Sequence, residues 1–418
     1  MGSHLLKRLG CNERIEGSVM GRAKAWQMEQ EERGYYEADG AICEDCVTDP
    51  ALKSWVSDNV SETQCRFCGA ESDDPMAASF DEFIGVVLTG VRFDWNHPDD
   101  EGIMYVSAEG GYQASISDTW DVLGDYDISD DSDVVEAIID VVGSDGWVER
   151  EFYIGDKSQR LEWGWDAFKE TVKHQTRYVF LTPDDSDHSP EVPPSRMLAA
   201  IGETVVDELA ELNLITEIPA DTDLFRIRIG AEPFHTGAEI GTPPAQFAMQ
   251  SNRMSPAGIP MFYGAFDVDT ARLETFDPDH HAGQILSIGT FRATRALRVL
   301  DLADLPDIPS VFEEDSHHCI HPLRFLHAFA RDIVKPIARD GREHIEYVPT
   351  QIVTEYFRRV FRDADDCVID GIIYSSSREG GERAFVLFCE NEQCFAVEDG
   401  PVFLEQLLNL TAVAHEQA

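Results

Sequence analysis

The sequence predicts an α+β protein with a mainly helical N-terminal region and a four-cysteine metal site. Segments with helical apolar spacing and segments with strand-like alternation follow one another without regular order, which argues against a doubly wound sheet. Two closely spaced cysteine pairs near the N-terminus have the spacing of zinc ligands. With 418 residues, 43% of them hydrophobic, the chain can build a core for each of two or three domains.

The charge balance limits the partners of the protein. The chain has 79 acidic and 33 basic residues and a formal net charge of -46. Such a surface repels polyanions, so nucleic acids and anionic membranes are poor partners. The sequence has neither a run of about twenty apolar residues nor a signal-peptide core at its start, so we expect a cytoplasmic protein.

Composition divides the chain into five expected segments. These are an N-terminal tail (1–35), a cysteine-rich segment (36–75), a helical domain (76–185), a linker (186–195) and a C-terminal domain (196–418).

The cysteine-rich segment predicts a structural zinc site. Cys43 and Cys46 form one pair, and Cys65 and Cys68 form another after eighteen intervening residues. Two-residue spacers let both sulfurs of a pair face one tetrahedral ion, and Gly69 permits the tight turn that follows. Four thiolates leave no open position for water, which favours a structural role. A redox role or a chance pairing is the alternative.

A second group of candidate ligands has a poorer geometry. Neighbouring residues of an extended segment point to opposite faces, so the run 317–321 (HHCIH) predicts a solvated loop rather than a metal site. The cysteines without zinc-ligand spacing are Cys11, Cys319, Cys367, Cys389 and Cys394.

Apolar periodicity places the helices and strands. In the N-terminal half it predicts helices over 78–92, 133–143 and 160–180. The C-terminal helices are predicted over 196–213, 321–337 and 348–361, the last with Pro349 in its first turn. The C-terminal strands are predicted over 225–230, 258–266, 283–291, 295–302, 367–375 and 383–389.

The segment 252–274 (NRMSPAGIPMFYGAFDVDTARLE) groups polar residues around a turn. Ser-Pro-Ala-Gly is turn chemistry that places Arg253 before a tight reversal, and the apolar run after it ends in Tyr263. We therefore expect the arginine and the tyrosine to lie near the opening of one cleft.

A short helix follows, which Asp267 or Asp269 can cap. Its inner face is expected to carry Ala271 and Glu274. Burying a bare carboxylate costs several kcal/mol, so Glu274 should be paired or functional. The alternative is an Arg253–Glu274 salt bridge that holds the turn.

Several motifs in order resemble the RES domain family, which is named for its arginine, glutamate and serine. The resemblance covers about 224–388, and the motifs that carry it are 253–258 (RMSPAG), 260–263 (PMFY), 270–274 (TARLE), 347–351 (YVPTQ) and 370–378 (DGIIYSSSR). The preceding region resembles the HEPN-related domain often fused to RES domains, through the cysteine pairs, Trp163 and the run 173–180 (KHQTRYVF). HEPN ribonucleases use an arginine and a histidine a few positions apart, and this helix has no such pair.

The resemblance implies a fold and an activity. RES domains resemble ADP-ribosyltransferase toxins, so a sheet core flanked by helices is expected over 196–418. They degrade NAD by cleaving the nicotinamide–ribose bond, with water or inorganic phosphate as acceptor, and many are toxins held by a cognate antitoxin. The implied substrate is NAD, and the implied partners are phosphate and an antitoxin.

The same resemblance assigns roles to residues of this chain. Glu274 would stabilise the positive charge that develops on the ribose, and Arg253 would hold a phosphate group. Tyr263 would offer an aromatic face and a hydroxyl, and Ser376 would bond a ribose or phosphate oxygen, although Ser375 and Ser377 leave its register uncertain by one.

Weaker candidates are Arg226 and Arg228, which alternate with apolar residues in FRIRI, and Tyr374 and Gln351. Surface ion pairs are the alternative for the arginines, and core packing or helix-start hydrogen bonding is the alternative for the other two. Two further functions stay open: transfer of ADP-ribose to a macromolecule, and a non-catalytic zinc-containing binding module.

Overall fold

The computed structural model of the protein describes residues 30, 33–143, 146–179, 192–336, 341–363, 365–378, 382–395 and 405–417. Internal contacts divide the chain into two compact units, Met1–Glu149 and Arg150–Ala418. Most of the expected tail and residues 186–191 of the expected linker lie outside the described residues.

The first unit contains a small sheet beside two capped helices. The sheet order is β1-β3-β2, and both pairings are antiparallel. Asp49 caps helix α1, and Ser79 caps helix α2. The elements are β1 (Ala41–Ile42), α1 (Pro50–Asp58), β2 (Val60–Glu62), β3 (Ala77–Ser79) and α2 (Phe80–Asp94).

The rest of the first unit consists of short elements. The last residues of the expected tail also pack against this unit. Arg33 forms an ion pair with Asp81 of α2, and the Tyr35 hydroxyl donates to the backbone carbonyl of Asp81. The remaining elements are β4 (Trp95–Asn96), β5 (Tyr105–Val106), β6 (Gly111–Tyr112), α3 (Thr119–Gly124), α4 (Ser132–Val142) and β7 (Val148–Glu149).

The second unit begins with a helix that the sequence reading assigned to the N-terminal domain. Helix α5 (Lys157–Glu170) continues as one π-helical turn (Thr171–Gln175). Its buried face, which includes Trp165 and Phe168, lies in one hydrophobic core with Phe329. The boundary between the two compact units, at residues 149/150, therefore differs from the expected linker at 186–195. The reason is that the apolar side of α5 packs against residues of the C-terminal half.

An eight-stranded sheet forms the centre of the second unit. Its order is β15-β11-β9-β10-β14-β13-β12-β8, and every pairing is antiparallel except that of β12 with β13. The strands are β8 (Ile215–Ile218), β9 (Leu224–Gly230), β10 (Phe262–Ala265), β11 (Ile285–Ala293), β12 (Leu297–Asp301), β13 (Gly371–Ser375), β14 (Arg383–Leu387) and β15 (Leu408–Gln417).

Helices cover the sheet and connect its strands. They are α6 (Pro194–Val205), α7 (Gly237–Ile240), α8 (Val268–Thr275), α9 (Pro278–His281), α10 (His317–Val334), α11 (Glu343–Glu346) and α12 (Val348–Arg359). Mixed helix and sheet content is thus confirmed, together with the six predicted C-terminal strands, while β8 and β15 were not foreseen. Pro349 lies in the first turn of α12, as predicted.

The expectation of a loop over 317–321 is wrong. This run forms the first turns of α10, so its side chains project at helical spacing rather than to alternate sides. His317 Nε2 lies 2.6 Å from the Val311 carbonyl, and His318 Nδ1 lies 2.8 Å from that of Asp315. These contacts explain the cluster as the start of a helix.

In the part of the chain that the structure describes, none of the helices combines the length and the apolar character needed to cross a bilayer.

Candidate active site and metal centre

The turn before β10 is held by the start of α12. The Asn252 amide donates to the Ser255 carbonyl at 2.8 Å, which closes the turn. Gln351 Nε2 donates to the carbonyls of Asn252 (2.8 Å) and Ser255 (3.4 Å), and the Thr350 hydroxyl donates to the Arg253 carbonyl. The backbone of the turn is therefore fixed from a helix almost a hundred residues later, and Gln351 has a positioning role.

Arg253 is half-buried and contacts the C-terminal end of α10. Its Nη1 donates to the carbonyls of Ile333 and Lys335, both at 2.7 Å. Carbonyl groups at a helix C-terminus lack hydrogen-bond donors within the helix, and the Arg253 guanidinium provides these donors. No ion pair joins Arg253 to Glu274, both of which are described, so the salt-bridge alternative is wrong.

Tyr263 lies on β10 with its ring against the core that includes α10 and α12. Its hydroxyl donates to Ser255 Oγ at 2.9 Å. Burial raises the pKa of Tyr263 to about 12, although the hydrogen bond to Ser255 opposes the shift. The side chain is therefore neutral at physiological pH and keeps a proton that it can donate.

Glu274 occupies the last turn of α8. Asp267 caps this helix by accepting a 2.7 Å hydrogen bond from the Thr270 amide, which confirms one of the two expected caps. Ala271 is buried as predicted, but Glu274 is exposed. The expectation that Glu274 lies on the inner face of the helix is therefore wrong, because the last turn of α8 is exposed at Leu273 and Thr275 as well.

Ser376 follows β13 and bonds directly to Glu274. The serine is buried, with 7% of its surface exposed, and its hydroxyl donates to Glu274 Oε1. Ser376 Oγ also accepts a 3.2 Å hydrogen bond from the Arg378 amide. In the structure it is Ser376, rather than Ser375 or Ser377, that meets the glutamate.

Tyr374 lies between these groups on β13. Only 7% of its surface is exposed. Burial raises its pKa well above the usual value; the charge of Glu274 adds to the shift and that of Arg253 opposes it. Ser376, two residues after Tyr374, bonds Glu274 of α8, and Tyr263 packs against the same hydrophobic core that contains Tyr374. We refer to these four residues and Arg253 as the convergent site.

Arg226 and Arg228 lie elsewhere. Arg226 Cζ lies 5.0 Å from the ring centroid of Phe262, on the side of β10 opposite the Tyr263 side chain. Two-residue spacing puts Arg228 on the same face of β9. The structure therefore does not bring either guanidinium to the carboxylate of Glu274, because β9 directs both to the other side of the sheet. Burial lowers the pKa of both arginines.

Two positioning residues were missed by sequence reasoning. Ser255 accepts the Tyr263 hydroxyl, and Thr350 bonds the Arg253 backbone. Both occur in motifs that carry the family resemblance, so membership in those motifs was the available signal.

The four zinc-spaced cysteines form a compact quartet in the first unit. The Sγ atoms of Cys43, Cys46, Cys65 and Cys68 all lie within 4.8 Å of one another. Neighbouring sulfurs are 3.6 to 3.7 Å apart. A tetrahedral ion with metal–sulfur bonds of about 2.3 Å separates its sulfurs by roughly 3.8 Å. The donor set therefore fits such an ion, and Gly69 has the left-handed φ of 72° expected after the second pair.

Chemically, the site in the second unit offers an exposed carboxylate that a serine hydroxyl bonds, together with the Tyr263 ring and the Arg253 guanidinium. Such an arrangement can stabilise a cation that develops next to a stacked ring. The quartet in the first unit could hold a metal ion through four thiolates.

Two family models match the sequence. HEPN/RES N-terminal domain 1 matches residues 58–186, and the RES domain matches residues 223–405. No curated protein and no solved structure matches the chain. The first match includes helix α5 of the second compact unit, and the second includes every residue of the convergent site. The chain therefore belongs to the RES domain family and has a HEPN/RES N-terminal domain ahead of its RES domain.

Proposed function

We propose that the protein degrades NAD by cleaving the bond between nicotinamide and ribose, with water or inorganic phosphate as acceptor. The observation that carries this proposal is the hydrogen bond from Ser376 to Glu274, which joins residues 102 positions apart. It fixes one carboxylate oxygen and leaves the other without a hydrogen-bond partner among the described residues.

Glu274 acts on the transition state. Departure of nicotinamide leaves positive charge on the ribose, and a carboxylate held beside the anomeric carbon lowers the energy of that state. Ser376 orients the carboxylate, so the Glu274 side chain does not have to reorient during the reaction. The neutral, partly buried Tyr263 provides ring surface for the substrate.

Arg253 binds a phosphate group of the dinucleotide or an incoming phosphate. A guanidinium has five N–H donors, and Nη1 uses its two on the α10 carbonyls. The groups on Nε and Nη2 have no hydrogen-bond partner among the described residues. They remain available for two charge-assisted bonds in a molecule whose overall charge repels a dinucleotide.

The decisive experiment measures nicotinamide release from NAD by the purified full-length chain and by Glu274→Gln. The substitution keeps the shape and removes the charge, so we expect release to fall by about 100-fold or more with an unchanged melting temperature. Asp269→Asn on the same helix is the matched control and should retain activity. If the folded wild-type protein leaves NAD intact, with and without phosphate, the proposal is wrong.

Product analysis identifies the acceptor. Free ADP-ribose indicates water, and ADP-ribose 1-phosphate indicates phosphate. Label from NAD that appears in protein or nucleic acid would instead identify an ADP-ribosyltransferase.

A cell that loses NAD stops growing, so the activity suits a toxin or defence effector held by a cognate antitoxin. Expression of the wild-type chain without such an inhibitor should arrest growth, and Glu274→Gln should relieve the arrest.

We assign the metal of the first unit as a structural Zn²⁺. The all-thiolate donor set and the sulfur separations suit zinc, and the ion would hold the residues around β1 and β3 together.

A further inference from the structure

A second cysteine cluster lies in the C-terminal unit, away from the metal quartet. Cys389 follows β14, and Cys394 ends a 3₁₀ turn (Asn391–Cys394). Both side chains are fully buried, and their Sγ atoms are 3.5 Å apart. Their spacing in CENEQC matches no zinc motif, so the pair was not foreseen.

Neighbouring groups hold both sulfurs in place. The Thr242 amide donates to Cys394 Sγ at 3.4 Å, and the Thr242 hydroxyl donates to the Cys389 carbonyl at 2.8 Å. Asn391 Nδ2 donates to the Ala238 carbonyl at 2.9 Å. A Cβ on Gly241 would lie only 2.6 Å from the Cβ of Cys394, so the two segments are in close contact. The pair is therefore fixed by polar contacts as well as by apolar packing.

The surroundings distinguish one sulfur from the other. The hydrogen bond from Cys389 and those from Thr242 lower the pKa of Cys394, and the charge of Arg226 contributes, whereas Cys389 has a raised pKa. Arg226 itself donates to the carbonyls of Ile240 and Tyr263 and has no carboxylate partner among the described residues. The charge of Arg226 acts on both sulfurs, so it is the Thr242 amide, which donates to Cys394 Sγ, that favours Cys394 as the thiolate.

We propose that Cys389 and Cys394 are a peroxide-sensitive dithiol that closes to a reversible disulfide. The Cys394 thiolate attacks one oxygen of the peroxide, the O–O bond breaks, and the leaving hydroxide takes up a proton to become water. The Cys389 thiol then attacks the sulfenic sulfur, the S–O bond breaks, and a second water leaves with the thiol proton. Two thiols are thereby oxidised and one hydrogen peroxide is reduced.

The geometry allows this closure with a small movement. A disulfide needs its sulfurs about 2.05 Å apart, so the present separation must shorten by roughly 1.5 Å. Side-chain rotation supplies much of this, because the two residues already face each other. Because both sulfurs are fully buried, a small peroxide reaches them only through local opening of the fold, and a large disulfide reagent is excluded.

The test treats the folded full-length chain with hydrogen peroxide or with glutathione disulfide. Each sample is quenched in acid, denatured, alkylated and mapped by mass spectrometry. We expect peroxide to yield a Cys389–Cys394 cross-link that dithiothreitol removes, and glutathione disulfide to leave both thiols free. The half-buried Cys367 serves as the reference for peroxide dose. If both cysteines stay alkylatable at a dose that oxidises Cys367, the proposal is overturned.

Two matched variants test the order of the steps. With the sulfenic-acid reagent dimedone present, Cys389→Ser should accumulate an adduct on Cys394, because the resolving thiol is missing. Cys394→Ser should give no adduct on Cys389. The reverse pattern, or no adduct in a folded Cys389→Ser protein, would overturn the mechanism. These readouts follow sulfur chemistry alone and are independent of NAD cleavage.

Discussion

The candidate metal centre and the candidate active site are built in opposite ways. The four sulfurs of the first unit come from residues 43–68, and two short spacers determine their geometry. The groups around Tyr374 come from residues 253–376, on a turn, two strands and a helix, and are held by backbone carbonyls and hydroxyl groups. The first site should therefore depend on a bound ion and on few other contacts. The second should depend on many contacts of modest strength.

Removal of the metal should have the largest effect. A structural zinc contributes on the order of 10 kcal/mol to the folded state, because the unfolded chain has no preformed site. We expect Cys46→Ala, or chelation of the wild-type protein, to abolish hydrogen-exchange protection over 41–79. Protection of β9 and β14 should persist, together with nicotinamide release. Elemental analysis should find one zinc per wild-type chain.

Cys367→Ala is the matched control for that variant, since it removes a thiol outside the quartet. Loss of hydrogen-exchange protection in both units after chelation would contradict the expectation that the metal stabilises the first unit alone.

Ser376→Ala should have an intermediate effect. A hydrogen bond to a charged group contributes about 1.5–3 kcal/mol, which corresponds to a roughly 10- to 100-fold lower kcat. KM for NAD should change little, because the hydroxyl orients Glu274 rather than holding the substrate. Steady-state kinetics of nicotinamide release checks this.

The neighbouring Ser377→Ala substitution is the control and should keep kcat within a few-fold of wild type. If Ser377→Ala is the more damaging of the two, the serine assigned by the structure is not the one that matters.

The fold was largely predictable where local pattern and tertiary packing agree. The six predicted C-terminal strands were recognisable by apolar runs and alternation. Helix α5 was also recognised, but its packing in the core of the second unit was not, since an apolar face does not specify which core will cover it. The run 317–321 was misread because histidines have weak intrinsic preference, and the packing of α10 decides their conformation.

The contact between Glu274 and Ser376 could be anticipated from the sequence, whereas its surroundings could not. Motif order identified Glu274 and Ser376, but the exposure of Glu274 depends on where α8 ends above the sheet. Arg226 and Arg228 alternate as in any amphipathic strand, so their face could not be chosen before the partners of β9 were known. Likewise, nothing in the spacing of Cys389 and Cys394 shows that Thr242 and Arg226 surround them.

Loss of the α8 cap should have the smallest effect on stability and activity. It tests whether the candidate active site depends on a contact as modest as one helix cap. Asp267→Ala removes the acceptor for the Thr270 amide, and lost N-caps cost about 1 kcal/mol. Since Glu274 lies in the last turn of the same helix, a frayed α8 places the carboxylate less accurately beside Ser376. We expect a small fall in melting temperature and a several-fold lower kcat, measured on the same preparation.

Asp269→Ala separates this effect from a general loss of charge, because Asp269 lies in the first turn of α8 without acting as the cap. It should leave kcat near the wild-type value. Equal losses in the two variants would mean that negative charge near the helix start, rather than the cap, supports Glu274. The carboxylate would then be positioned by electrostatics instead of by the rigid helix.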